Sequence, residues 1–159
     1  NWPGILGAGT MVSASEAARF DHVVLSTGTG CCLAGLRLAL PRKVTLTGIS
    51  ALKGAGTQGG IRDWLIRCPG ATRGEWHLNA DYHCGGYGRT TKKLLDLIQM
   101  FDKEYQLPLD PVYTGKMVLG TLDLIDRGYF ARGDRVLMLH TGGVQGRRGY
   151  SLDCPIIRR

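Results

Sequence analysis

The chain reads as α/β: a three-layer, open parallel sheet with helices on both faces. Strand-like and helix-like runs alternate, the connections between them are short, and glycine-rich turns gather beyond the strand ends. Alternation of this kind marks a parallel sheet covered on both sides.

The elements follow in order. "DHVVLST" (21–27) is a short apolar, β-branched run, and "GCCLAGLRLALP" (30–41) sets Leu33, Leu36, Leu38 and Leu40 in a mostly buried helix that ends at Pro41. "KVTLTGIS" (43–50) is a second strand. In "QGGIRDWLIRCPG" (58–70), Ile61, Trp64, Leu65 and Cys68 share a helical face, and Pro69 and Gly70 stop it. "EWHLN" (75–79) is a third strand. "TTKKLLDLIQMFDKEY" (90–105) aligns Leu94, Leu97, Ile98 and Phe101, with Thr90 or Thr91 as N-cap. "GKMVLGTLDLIDRG" (115–128) puts Met117, Thr121, Leu124 and Ile125 on one stripe and closes at Gly128. "RVLMLHT" (135–141) is the last strand. The first 19 residues, "NWPGILGAGT" included, show neither a clear strand nor a clear helix and read as an irregular lead-in to a unit spanning 20–159.

Composition narrows the function classes. A chain of 159 residues, 43% hydrophobic, can bury a core and fits one domain. Its 24 glycines are about twice the usual share of ~7% and cluster without a fixed period, which argues for tight loops near a ligand. The net charge of +7 is scattered, and no basic stripe interleaved with aromatics accompanies it, so no nucleic-acid partner is expected. No apolar run approaches the ~18 residues of a membrane span, so a soluble protein without a membrane partner is expected. Five cysteines at spacings 1, 36, 16 and 70 match neither a disulfide framework nor a zinc pair; no metal is expected, and a reducing, cytoplasmic setting is.

Three loops fall where open parallel sheets bind ligands, beyond the carboxyl ends of strands: "STGTG", "DYHCGGYG" and "HTGG". In "STGTGCC" the glycines allow close approach, successive N–H groups can form an anion nest, and the helix that follows aims its positive end at the guest. The loop is neither a Walker sequence nor a dinucleotide fingerprint. On this loop alone a phosphate site and a plain strand-to-helix turn both remain open.

Taken together, "TGTG..LAGL", "GISALKG", "DYHCGGYG", "LDPVYTGKM" and "LHTGGVQG" resemble, in order and spacing from about Phe20 to Gly149, the 1-aminocyclopropane-1-carboxylate deaminase and D-cysteine desulfhydrase family of pyridoxal-phosphate enzymes. The resemblance implies the C-terminal half of a tryptophan-synthase-β type of fold, with pyridoxal 5'-phosphate as cofactor and a small amino acid as substrate. It also implies that the Schiff-base lysine lies in a preceding half of the same fold, so that this chain brings cofactor and substrate contacts without the nucleophile. Lys116 is not at that position and reads as a lysine in the first turn of a helix. A homodimer is compatible with the resemblance.

Carried over residue by residue, Ser26, Thr27, Gly28, Thr29, Gly30, Cys31 and Cys32 align with the phosphate loop, and Tyr87 and Tyr113 with two active-site tyrosines. Cys31-Cys32 departs from the usual Gly-Thr: a cysteine forced to positive φ at position 31 would carry ~1 kcal/mol or more of strain. A metal or redox role for the pair lacks a further ligand at a fixed spacing. His83 and His140 are read as loop and strand-end residues. Thr114 and Thr141 bear on the reaction, since cyclopropane deaminases of the family tend to carry Glu and Leu there. Thr141 is the implied partner of the ring nitrogen, and a hydroxyl makes a weaker electron sink than a carboxylate would. Desulfhydrase-like β-elimination to pyruvate, ammonia and sulfide is therefore the expected activity, with cyclopropane deamination as the runner-up. A non-catalytic remnant, suggested by Cys31-Cys32, comes next, and nucleic-acid binding comes last.

Overall fold

The computed structural model describes residues 1–54, 56–67, 74–150 and 152. Its elements run α1 (Trp2–Ala8), α2 (Ala14–Ala17), β1 (His22–Thr27), α3 (Cys31–Ala39), β2 (Thr45–Ser50), α4 (Gly56–Ile66), β3 (Trp76–Asn79), α5 (Lys92–Tyr105), α6 (Thr114–Asp126), β4 (Val136–Leu139) and a 3-10 turn at Val144–Tyr150. The four strands are wholly parallel in the order β3-β2-β1-β4.

Period-two side chains divide the strands between two cores. Val23, Leu25 and Leu46 face Leu33, Leu36 and Ile61 of α3 and α4, while Val24 and Ile49 face Leu94, Ile98, Met117 and Val118 of α5 and α6. Three layers result, as expected. Thr91 caps α5, its hydroxyl accepting from Leu94 N at 3.2 Å. Gly128, at φ 70°, follows α6 as its C′ residue. Ile125 departs from the expected stripe and is exposed. Cys68, Pro69 and Gly70 lie outside the described residues, as does Cys154. Among the described residues no helix is long and apolar enough to cross a membrane, and no cluster of three metal-ligating side chains occurs.

The lead-in differs from the irregular segment expected. Asn1 caps α1, accepting from Gly4 N at 3.0 Å, and Pro3 sits in the first turn, where its missing N–H costs nothing. Gly4 and Gly7 depress helix propensity, so docking has to supply the stability. That docking buries Ile5 and Ala8 against α3 at Gly35, where a Cβ would stand 2.1 Å from the Ile5 carbonyl oxygen. Ser13 then caps α2 through a reciprocal capping box with Glu16.

This contact predicts a pair of opposite effects. Gly35→Ala should lower stability by about 1–3 kcal/mol through overpacking against backbone. Gly7→Ala, whose new methyl meets nothing within 4 Å, should raise it by about 1 kcal/mol. Urea midpoints of both variants against the native chain measure the two shifts.

Candidate functional site

The strand order dictates which loops meet. Passing β1 to β2 to β3 through α3 and α4, the chain steps in one direction across the sheet; after α5 and α6 it returns to the far side of β1. The order therefore reverses between β1 and β4, and a ligand crevice opens beyond their carboxyl ends. The turn 26–30 leaves β1 there, and His140-Thr141-Gly142-Gly143 leaves β4 beside it.

In the first turn, Gly30 takes φ 85° and Cys31 begins α3 as an ordinary helical residue. The strain considered for Cys31 is absent, because glycine occupies the left-handed position one residue earlier. The Cys31 thiol faces α1 instead, its Sγ 4.0 Å from the Asn1 carbonyl oxygen, so only its backbone N–H remains for a ligand. Burial, and then the neighbouring Cys31, push the Cys32 thiol up, which keeps it protonated and disfavours a metal-binding or redox thiolate. No side chain caps α3. Thr27 is buried, and its Oγ1 has no hydrogen-bond partner. An unpartnered hydroxyl beside an uncapped helix start, with a Cβ-free approach at Gly28, fits an anion such as a phosphate. Ser26 is buried at the end of β1, and Thr29 is exposed.

Opposite this turn lies the start of α6. Asp110 is buried and fully engaged: Oδ1 accepts from Val112 N and Tyr113 N, and Oδ2 from Thr114 N and the Thr114 hydroxyl, all at 2.7–2.8 Å. Thr114 Oγ1 in turn accepts from Asp110 N at 2.8 Å. Thr114, whose identity bears on the reaction expected, is fully buried, and its hydroxyl both donates to Asp110 Oδ2 and accepts from Asp110 N. Thr141 is exposed and leaves its hydroxyl for a ligand. The turn that carries it rests on the same carboxylate: a Cβ on Gly143 would stand 3.0 Å from Asp110 Oδ2.

Tyr113 brings the two sides together. Its ring lies 3.4 Å from where a Cβ of Gly28 would be, and it meets Tyr87 edge to face at 6.0 Å between centroids. Burial, and then the neighbouring Tyr87 and Asp110, hold the Tyr113 phenol above its usual range. Tyr87 is 63% exposed, so the pair is reachable from solvent. The loop bearing it is tethered by Tyr82 Oη to Asp123 at 2.7 Å, by Tyr150 Oη to the Gly88 carbonyl at 2.7 Å and by Lys116 Nζ to the Gly86 carbonyl at 2.8 Å. The two histidines are occupied: His83 Nδ1 accepts from Gly85 N, and His140 accepts from Gly142 N at Nδ1 and donates from Nε2 to the Pro108 carbonyl.

Asp110 and Arg147 escaped the sequence reading, as did the burial of Lys116. Lys116 stands in the first turn of α6, as expected, and is fully buried there. The signal was its setting, since "TGKMVLGTL" is apolar or small on every side and such a helix is buried all round. Asp110 stands four residues before Thr114 and just ahead of the helix, an acidic position that favours capping.

An uncapped helix start, a phenol pair and an exposed threonine thus gather at the switch point of a parallel α/β sheet. No family model matches the chain. A protein of Pyrococcus furiosus, named as a proposed 1-aminocyclopropane-1-carboxylate deaminase, is 36% identical over 139 residues, covering 82% of this chain and 42% of its own. The 1-aminocyclopropane-1-carboxylate deaminase of Rhizobium leguminosarum is 30% identical over 165 residues, covering 93% of this chain and 48% of its own. The crystal structure of an ACC deaminase homologue superposes with a TM-score of 0.74 at 29% identity, over 90% of this chain and 46% of that one. The chain belongs to the 1-aminocyclopropane-1-carboxylate deaminase family. It spans less than half the length of these relatives.

The phenol contact makes a testable prediction. Tyr87→Phe removes the hydroxyl whose proximity helps raise Tyr113, so Tyr113 should ionise at lower pH, nearer the ordinary phenol value of about 10. Absorbance at alkaline pH, with Tyr82 pushed up to about 12 as an internal reference, measures the shift.

Proposed function

We propose that this chain forms the phosphate-binding and ring-facing side of a pyridoxal-phosphate site, and that the whole protein is a lyase acting on a small amino acid by β-elimination, as a D-cysteine desulfhydrase does. The observation that carries the reading is the convergence of the uncapped α3 start, the Tyr87–Tyr113 pair and the Thr141 turn at the sheet's switch point.

When bound, the cofactor supplies an electron sink for charge developing on the substrate's α-carbon. Removal of the α-proton would fall to the lysine of the preceding half, and this chain's residues would hold the cofactor and protonate the leaving group. Backbone N–H groups at 29–32 and the Thr27 hydroxyl would donate to the phosphate, and Gly28 and Gly30 would let it approach. Thr141 Oγ1 would serve as a neutral partner of the pyridine nitrogen, which would suit loss of a thiolate better than opening of an unactivated ring. Tyr113, held neutral at physiological pH, donates its proton to the departing sulfur, and Tyr87, in contact with it, relays the replacement from solvent. The sulfur leaves with the bonding electron pair and takes up that proton.

Cyclopropane deamination is the second reading, favoured by the names of the relatives and of the structural neighbour. A lysine-bearing N-terminal half and a homodimeric, cytoplasmic enzyme belong to the same proposal.

Calorimetric titration of the chain with inorganic phosphate and with pyridoxal phosphate tests the nest. Gly30→Ala, forced to φ 85°, should weaken both by about tenfold, since a left-handed alanine costs roughly 1–2 kcal/mol. Native affinity in that variant would overturn the nest. With the chain supplied with the lysine-bearing half, keto acid should form faster from D-cysteine than from the cyclopropane amino acid, and Thr141→Leu should lower the D-cysteine rate. A native preference for the cyclopropane substrate would establish the second reading instead.

A further inference from the structure

We infer that Lys116 is a positioning residue that locks the Tyr87 loop onto helix α6 and so sets the geometry of the phenol pair. This inference rests on the site reading above for its functional meaning, but its structural basis is independent of any cofactor. Lys116 is fully buried, and its Nζ donates to the Gly86 carbonyl at 2.8 Å. The same carbonyl accepts from Arg89 N at 3.1 Å, so both of its lone pairs are engaged. Gly86 is itself buried and holds φ 133°, a conformation that side-chain-bearing residues avoid. The loop is thus fixed at the residue immediately before Tyr87.

The other end of the tether is equally defined. Lys116 lies three residues after Tyr113, one turn along α6. A buried ammonium requires compensation, and the carboxylate of Asp110, which orients the start of α6, supplies charge that acts on it. Burial lowers its affinity for the proton while that carboxylate opposes the shift. The remaining tethers attach elsewhere: Tyr82 joins Asp123, further along α6, and Tyr150 holds Gly88 from the 3-10 turn. Lys116 alone among these three joins the residue next to Tyr87 to the helical turn next to Tyr113.

The test uses the chain itself and compares Lys116→Met with Lys116→Gln. Loss of a charge-assisted hydrogen bond should raise amide exchange at residues 85–88 by about tenfold in Lys116→Met, with α3 and α5 exchange unchanged. Lys116→Gln keeps a shorter N–H donor and should fall between the two. Photo-oxidative dityrosine formation between residues 87 and 113, identified by peptide mapping, should drop in the same order. Unchanged loop exchange and cross-linking in Lys116→Met would overturn the inference, as would a uniform rise in exchange over the whole chain. If Lys116→Met does not fold, Lys116→Gln decides: raised exchange confined to 85–88 supports the inference, and native exchange overturns it. Phosphate titration of the native chain separates the two readings, because it reports on the α3 nest and does not depend on Lys116.

Discussion

A buried carboxylate must have its lone pairs filled, and much of the site depends on how Asp110 meets that demand. Three backbone N–H groups and one hydroxyl converge on it. Thr114 N is one of the groups that a helix start leaves without a partner, and Val112 N and Tyr113 N belong to the turn that leads into it. Satisfying Asp110 therefore fixes the direction in which α6 sets out, and Tyr113 and Lys116 go with it. Gly143 has to be glycine in effect as well as in name, because the turn after β4 runs against the same carboxylate at φ 88°. One charge thus sets the position of the phenol, the lysine and the turn that presents Thr141.

Topology decides what this cluster faces. A sheet that continued in one direction would have put the turn after β4 at a distant edge. The reversal sets β4 against β1, with Leu25 paired to Leu139, so the two strands release their loops side by side. Gly28 then lets the Tyr113 ring sit against the β1 turn, which a larger residue at that position would push away. The nest depends on sheet order, and the phenol pair depends on helix capping. The site exists where the two constraints meet.

How much of this was legible depends on whether a feature is local. The strands could be read as short apolar, β-branched runs, and helices α3 to α6 by their helical spacing of apolar residues and their stop signals. Thr91 and Gly128 could be read because caps involve neighbours in sequence. Helix α1 could not, since Gly4 and Gly7 argue against a helix and only the distant Gly35 makes room for it. The three glycine-rich loops were legible as a set, yet the roles inside them were not. Positive φ falls on Gly30 rather than Cys31, and the Thr114 hydroxyl turns inward to Asp110 while that of Thr141 stays free; both outcomes depend on partners several residues or an entire element away.

The charge balance follows the same logic. A surplus of seven positive charges suggests a polyanionic partner when composition alone is considered. Three of the cations, however, are fully or almost fully buried. Arg37 donates to the carbonyls of Leu40, Pro41, Val44 and Glu75, gathering the end of α3 and the entries to β2 and β3. Arg147 joins the Leu109 carbonyl to Asp102, tying the 3-10 turn to α5 and to the residue before Asp110. Lys116 holds Gly86. Each sits where chain ends or loops expose carbonyls that no helix or strand can satisfy, and a long cationic side chain reaches several of them at once. In a chain with 24 glycines the loops are many and tight, and their unpaired carbonyls need donors. Part of the positive charge is therefore internal structure, and it fixes the loops from which the site is built.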